Sequence, residues 1–262
     1  MGLSVGIHQL ASNPSKERNL LKILTKIERS DAYLDIFPEY MMGVRDEGID
    51  REYIRSLAEP LNGPFISSII GKSEELGKAV LFTTYLREAN RIYNAAILAE
   101  KGRIKAVYRK MHLFDAYGYK ESEIFSRGRD VAIAEIKGLK AGIAICFDLR
   151  FPELFRFMAY EGAELFLVPS AWFRGEYKLE QWYSLTTARA HENTAFLIAV
   201  DQVSKLFLGH SLIASPLGYI KINLGEEETS VTMGVSEDEI RKAREMVPTV
   251  RVARERHSVA LS

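Results

Sequence analysis

The chain has 262 residues, 47% of them hydrophobic, which is typical of one large globular domain. Its 35 basic and 35 acidic residues balance, so charge indicates neither a nucleic-acid partner nor a membrane surface. A single cysteine excludes a disulfide framework and a cysteine-based metal cluster, and because signal-peptide and membrane-span patterns are also missing we expect a cytoplasmic protein.

The first half of the chain alternates predicted strands with predicted helices. Strands are predicted at 4–10, 33–37, 79–84, 92–99 and 104–108, the last two joined by a Lys101–Gly102 turn. Asn13 and Pro14 are suited to the cap and first turn of a helix that carries apolar residues at 20, 23, 24 and 27. A second helix is predicted from Pro64 towards residue 77, and a polar, aromatic-rich loop spans 109–129.

The second half is organised around residues 139–154. Predicted strands at 131–136 and 139–145, joined by a Lys137–Gly138 turn, lead to Cys146. Pro152 begins a helix that ends at Gly162. Further strands are predicted at 165–168, 195–200, 211–215, 219–224 and 228–235, with a helix at 179–193. From residue 236 a charged helix and an arginine-rich tail follow. This pattern predicts an α/β fold in which two packed sheets are covered by helices.

Three chemically reactive side chains directly follow predicted strands, namely Glu39, Lys110 and Cys146. Ligands of α/β sheets collect at the carboxyl ends of strands, so this shared placement suggests one site. A cysteine between a buried strand and a helix resembles a nucleophile elbow, and the helix N-terminus is expected to favour its thiolate. The alternative is a buried cysteine that packs as a small hydrophobic residue.

The segments around these residues are FPEY, YRKMHLFD and ICFDLRFPELF, which closely resemble the three signature regions of the nitrilase superfamily, the carbon–nitrogen hydrolases. The similarity continues through YKESEIFSRG, LFLVPSAW, QWYSLTTARAHEN and the ASPLG turn, and thus covers nearly the whole chain. It implies a four-layer α-β-β-α sandwich formed by one domain over residues 1–262. It also implies a homodimer or higher homo-oligomer, with residues 236–262 near the dimer interface.

The resemblance further implies a catalytic Glu39–Lys110–Cys146 triad that needs no metal and no cofactor. Glu39 would take the thiol proton, return it to the departing ammonia and later activate water. Lys110 and the backbone N–H of Phe147 would stabilise the oxyanion. Glu121 matches a second glutamate of the family's site, and it either shares proton transfer or forms a structural ion pair with Lys110.

Two further residues bear on the substrate. In the branch with the CxDLRFPEL pattern, which includes ω-amidases, the arginine that matches Arg150 binds a substrate carboxylate. Alternatively, Arg150 stabilises the loop through an ion pair. This stabilising role is the one that we favour for Asp148. Trp172 either lines the pocket or belongs to the core. His112 is not the base in the matching motif, although a Cys–His pair is an alternative. Residues 172–181 depart from the ω-amidase pattern, which argues against a narrow ω-amidase specificity.

We therefore predict a thiol hydrolase that cleaves the C–N bond of a small non-peptide amide, with ω-monoamides of dicarboxylates as candidates. The same triad would serve a nitrilase or an N-carbamoyl amino acid hydrolase. Two alternatives come from other classes: a catalytically silent binding protein, expected to lack a triad residue, and a redox sensor based on Cys146.

Overall fold

The structure is a computed structural model that describes residues 2–256. The strands of this region are β1 (Leu3–Gln9), β2 (Leu34–Ile36), β3 (Ala79–Glu88), β4 (Arg91–Glu100), β5 (Arg103–Arg109), β6 (Ala132–Ile136), β7 (Leu139–Ile143), β8 (Leu165–Ser170), β9 (Phe196–Asp201), β10 (Leu212–Ala214), β11 (Ile220–Asn223) and β12 (Thr229–Val235). Its helices are α1 (Lys16–Arg29), α2 (Arg51–Leu57), α3 (Pro64–Glu75), α4 (Pro152–Tyr160), α5 (Lys178–Glu192), α6 (Glu237–Met246) and α7 (Thr249–Arg256). Two 3₁₀ turns, Glu121–Glu123 and Cys146–Arg150, complete the elements.

The strands form two six-stranded sheets, with the orders β12-β1-β2-β3-β4-β5 and β11-β10-β9-β8-β7-β6. The central strands of each sheet, β1-β2-β3 and β7-β8-β9, are parallel, whereas the outer pairs are antiparallel. Helices cover the outer faces, so the predicted α-β-β-α sandwich is confirmed. Parallel pairing matters for the site because Glu39 and Cys146 lie in the loops that follow β2 and β7. Both loops therefore begin at the carboxyl ends of parallel strands, where ligands of α/β sheets bind.

Successive side chains of β3 pack alternately against the opposite sheet and against the helix layer. Ala79 and Leu81 lie in the hydrophobic cluster that contains Ile143 of the opposite sheet, whereas Val80 and Phe82 lie in the cluster beneath the helix layer. Successive strand residues point to opposite faces, so a strand that is apolar on both faces is buried on both. All four side chains are fully buried. The near-continuous apolar runs of the sequence therefore become the inner strands.

Two features of the first helices differ from the prediction. Ser15, not Asn13, caps α1, since its Oγ accepts a hydrogen bond from the backbone N–H of Arg18 at 3.3 Å. Asn13 instead accepts from the N–H of Ser15 and thereby orders the turn before the helix. Helix α2 is absent from the sequence-based prediction because seven residues are too few for a clear helical period.

The C-terminal helices pack on their own domain. Ile240 of α6 is buried, and Arg244 Nη2 donates to the carbonyl of Ala163 at 2.9 Å. In α7, Thr249 Oγ1 donates to the carbonyl of Glu192 at 3.0 Å. The remainder of the predicted tail, residues 257–262, lies outside the described residues. In the part of the chain that the structure describes, no helix combines the length and apolar character needed to cross a bilayer.

Candidate active site

Cys146 occupies a strained turn that follows β7 after Ala144 and Ile145. Its φ of 45° lies in the left-handed region, which residues other than glycine rarely adopt. Asp148 holds the turn closed, because its Oδ2 accepts the backbone N–H of Ile145 at 2.8 Å while its own N–H donates to the carbonyl of Ile145. The predicted sharp turn at the cysteine is confirmed. Such a turn presents the thiol at the edge of the sheet instead of within it.

Three charged side chains meet beside this turn in almost complete isolation from solvent. Lys110 Nζ lies 2.8 Å from Glu39 Oε1 and 2.9 Å from Glu121 Oε2. Each of the three side chains is at most 1% exposed. One ammonium between two carboxylates forms a buried ion cluster, which is stable only when the remaining lone pairs are also satisfied.

Hydrogen bonds from four further groups satisfy the two carboxylates. Asn94 Nδ2 donates to Glu39 Oε1 at 2.6 Å and to Glu121 Oε1 at 2.8 Å, and the Tyr40 hydroxyl donates to Glu121 Oε1 at 3.0 Å. The second oxygens accept backbone N–H groups, from Ala171 at 2.9 Å for Glu39 and from Phe114 at 2.7 Å for Glu121. The sequence-based prediction omits Asn94 and Tyr40. Two features of the sequence could have indicated these residues: an asparagine within an apolar strand, and a tyrosine next to Glu39.

Burial and the neighbouring charges set the protonation of the site. Burial raises the pKa of Glu39, although the ammonium of Lys110 acts in the opposite direction. Burial alone would lower the pKa of Lys110, but the two carboxylates more than reverse this effect, so the lysine stays charged. Burial, assisted by Glu39, raises the pKa of the Cys146 thiol well above its ordinary value. Burial thus opposes the thiolate that the sequence predicts at a helix N-terminus, because desolvation disfavours a charged sulfur.

Most of the predicted site residues line one pocket above the cysteine. They are Glu39, Lys110, Cys146, Phe147, Arg150 and Trp172. Glu121 does not line the pocket and lies behind Lys110, fully buried. The pocket also includes Phe114, Phe173 and Lys178, which are absent from the sequence-based prediction. Lys178 begins helix α5, and its position next to Trp172 follows only from the fold.

Arg150 and Trp172 form one wall of this pocket. The Arg150 guanidinium carbon lies 4.8 Å from the Trp172 ring centroid, and Arg150 Nη2 donates to Gln181 Oε1 at 2.7 Å. The Nε of Arg150 is buried without a hydrogen-bond partner among the described residues. Trp172 is 4% exposed, and its indole N–H donates to the carbonyl of Lys178 at 3.0 Å. Trp172 thus belongs to both the pocket and the core, whereas Arg150 retains an unused donor.

His112 and Asp148 contact each other next to the Cys146 turn and stabilise the adjoining loop. Asp148 Oδ1 accepts from the N–H of His112 at 3.1 Å and lies 2.7 Å from His112 Nδ1, and Tyr108 donates its hydroxyl to Oδ2 at 2.8 Å. The His112 ring stacks on Phe151 with a centroid distance of 3.7 Å. Neither residue lines the pocket that contains Cys146. These contacts agree with the bracing role favoured for Asp148 and give no support to a Cys–His pair.

The chain is similar to known proteins in both sequence and fold. The family model for carbon–nitrogen hydrolases matches residues 4–245. The chain is 29% identical over 230 residues to a deaminated glutathione amidase of Escherichia coli O157:H7, covering 87% of both chains. It is also 29% identical over 272 residues to an omega-amidase of Saccharomyces cerevisiae, covering 96% of this chain and 93% of that one. A CN-hydrolase superfamily structure from Xanthomonas campestris, with an arsenic adduct in its active site, superposes with a TM-score of 0.89 at 26% identity and 100% coverage of both chains.

Proposed function

The chain belongs to the carbon–nitrogen hydrolase family and hydrolyses amide C–N bonds, and we propose that Cys146 is its nucleophile, acting with Glu39, Lys110 and Glu121. One observation carries this proposal: the buried Lys110 ammonium is held between two carboxylates in the wall of the pocket that contains the chain's single cysteine. A purely structural ion cluster has no need of an adjacent thiol on a strained turn. The catalytically silent alternative is disfavoured because no triad residue is missing.

The first half of the proposed reaction forms a thioester. As Sγ of Cys146 attacks the amide carbon, the thiol proton passes to Glu39, whose raised pKa makes it a stronger base than an ordinary carboxylate. The carbonyl oxygen gains negative charge, which Lys110 and the backbone N–H of Phe147 stabilise. The intermediate collapses when the C–N bond breaks and Glu39 returns the proton to the leaving nitrogen. Ammonia departs, and the acyl group remains on sulfur.

The second half releases the acid. Water gives a proton to Glu39 and attacks the thioester carbon. The C–S bond then breaks as Glu39 returns this proton to Sγ, which restores the thiol and releases the acid product. For Glu121 we propose a positioning role, because its oxygens are occupied by Lys110, Asn94, Tyr40 and the Phe114 N–H. A carboxylate with this many partners holds the ammonium in place. It has no lone pair directed at the pocket for proton transfer.

The preferred substrates are proposed to be small amides that carry a carboxylate, such as ω-monoamides of dicarboxylic acids. Arg150 supports this proposal, since it lines the pocket with an unpaired buried Nε and no carboxylate partner among residues 2–256. A guanidinium recognises a carboxylate through paired, charge-assisted hydrogen bonds. The similarity to a deaminated glutathione amidase and an omega-amidase also favours amides.

We further propose a cytoplasmic homodimer or higher homo-oligomer, formed by one domain over residues 1–262 with its C-terminal helices near the interface. Apolar exposure on these helices supports the location, since Met246 is 70% and Val252 is 49% exposed.

An ammonia-release screen tests the proposed reaction across acidic amides, neutral amides, nitriles and N-carbamoyl amino acids. We expect hydrolysis of amides by the wild type, none by Cys146→Ala, and an acyl adduct on the wild-type protein in intact mass spectra. Activity should survive treatment with EDTA, since no metal is expected. Full activity in Cys146→Ala would refute the nucleophile, and faster release from nitriles or N-carbamoyl compounds would reassign the substrate class.

A further inference from the structure

Lys178, the first residue of α5, places a second cation at the active-site pocket. Its side chain is largely buried, with the residue 7% exposed. Its Nζ lies 3.6 Å from the ring centroid of Tyr117 and 5.7 Å from that of Trp172, the ring on which Arg150 also lies. The two cations therefore approach the same pocket from adjacent positions around one indole.

Neither cation has a carboxylate partner in the part of the chain that the structure describes. Among residues 2–256, no carboxylate oxygen lies within 4.0 Å of Lys178 or Arg150, and the contacts of Arg150 are an amide oxygen and two aromatic rings. Lys110 is also buried and has two carboxylate partners. Burial and the nearby charge of Arg150 lower the pKa of Lys178, so the pair is held at a cost. An anion brought by a ligand would remove that cost.

Lys178 also lies between the active-site pocket and a neighbouring surface groove. It lines the inner pocket with Cys146, and it lines an outer groove formed with Tyr117, Phe173, Tyr177 and Gln181. A molecule that entered from the groove would pass the ammonium before its amide reached the thiol. The cation is thus placed to contact the part of the substrate that lies away from the scissile bond.

We propose that Lys178 is a specificity-determining residue that, together with Arg150, binds the anionic end of the acyl group of the substrate. This inference rests on the proposed amide hydrolysis and specifies its substrate class as monoamides of dicarboxylic acids. A neutral isostere cannot form the charge-assisted hydrogen bonds and would leave Lys178 and Arg150 without an anionic partner. Lys178 lies within residues 172–181, where the chain departs from the ω-amidase pattern. In this proposal the chain still recognises a carboxylate, and Lys178 is the residue by which this segment does so.

The kinetic test compares succinamate with levulinamide, in which a neutral methyl ketone replaces the carboxylate. The ratio of their kcat/KM values should fall at least about tenfold in Lys178→Met, mainly through the KM of succinamate. Lys178→Arg, which keeps the charge, should retain more of the preference than Lys178→Met. Lys205→Met removes an exposed lysine and should leave the ratio at its wild-type value. An unchanged ratio in Lys178→Met would overturn the inference.

A binding test separates this inference from the proposed reaction. Calorimetry in the Cys146→Ala background should show that succinate binds, and that adding Lys178→Met raises its Kd at least about tenfold. If succinate does not bind, or binds equally to both proteins, the specificity role of Lys178 is wrong even when hydrolysis depends on Cys146. If Cys146→Ala still hydrolyses amides, the proposed nucleophile fails, and the succinate titration still decides the role of Lys178.

Discussion

Asn94 donates a hydrogen bond of 2.6 Å from Nδ2 to Glu39 Oε1, from the middle of strand β4 to the loop after β2. The same Nδ2 lies 2.8 Å from Glu121 Oε1. One neutral amide thus holds the two carboxylates that flank Lys110 at a constant separation. Without it, the Lys110 ammonium would be the only described side chain that contacts both carboxylates.

We predict that Asn94→Ala lowers kcat at least about tenfold and moves the acidic limb of the pH–rate profile to higher pH. The hydrogen bond from Asn94 lowers the pKa of Glu39, so its loss raises that pKa and the base becomes protonated at a higher pH. Steady-state rates measured across the acidic range test this shift. Asn90→Ala, at an exposed turn, is the matched control. An acidic limb that stays in place would show that Asn94 is only structural.

A second prediction concerns the resting thiol. Because burial and Glu39 raise the pKa of Cys146, iodoacetamide should label it slowly at neutral pH, with a rate that still rises above about pH 8.5, the ordinary thiol pKa. Glu39→Gln removes the neighbouring negative charge and should shift the labelling profile to lower pH. The readout is the labelling rate by mass spectrometry. A plateau below neutral pH in the wild type would instead indicate a preformed thiolate.

Arg150→Met should raise the KM for acidic amides at least about tenfold, which corresponds to the loss of about 1.4 kcal/mol or more from a charge-assisted contact. The physical reason is that the guanidinium has an unused buried Nε in the pocket wall. Ammonia release with succinamate and propionamide measures the effect. Arg127→Met, at an exposed loop position, is the control for loss of charge. If the ranking of acidic and neutral amides is the same in Arg150→Met, carboxylate recognition by this arginine is disproved.

Asp148→Asn should destabilise the protein by at least about 2 kcal/mol and reduce activity. The carboxylate accepts hydrogen bonds from Ile145, Tyr108 and His112, and an amide nitrogen cannot accept in place of an oxygen. Urea unfolding followed by tryptophan fluorescence measures the loss. Asp46→Asn, at an exposed position, should have no comparable effect. Equal midpoints for the two variants would contradict the bracing role.

The last prediction concerns assembly. Light scattering should give a mass of at least twice the 29.7 kDa of the chain. The double variant Met246→Glu/Val252→Glu places charges on exposed apolar positions of α6 and α7 and should shift the protein towards the monomer. Leu21→Glu, on the exposed face of α1, is the control. A wild-type mass equal to that of one chain would rule out the dimer.

Several features of this protein are determined by its sequence alone, because they depend on local interactions. The apolar runs at 79–84 and 139–145 predict strands, and the corresponding β3 and β7 are buried inner strands of the two sheets. Lys101–Gly102 and Lys137–Gly138 predict hairpin turns, and all four residues have positive φ in the structure. The strand–Cys146–Pro152 pattern predicts a sharp turn at the cysteine. Turn geometry and strand alternation depend on neighbours along the chain, and the sequence shows those neighbours directly.

Tertiary structure decides which distant residues meet and how strongly each is desolvated. Asn94 is 55 residues from Glu39 in sequence, and Lys178 and Arg150 approach one indole from separate elements. The pKa of Cys146 changes direction from the expectation because its burial arises from the packing of both sheets and the surrounding loops. Long-range contacts and desolvation depend on the whole packed chain, and no local pattern around Cys146, Asn94 or Lys178 encodes them.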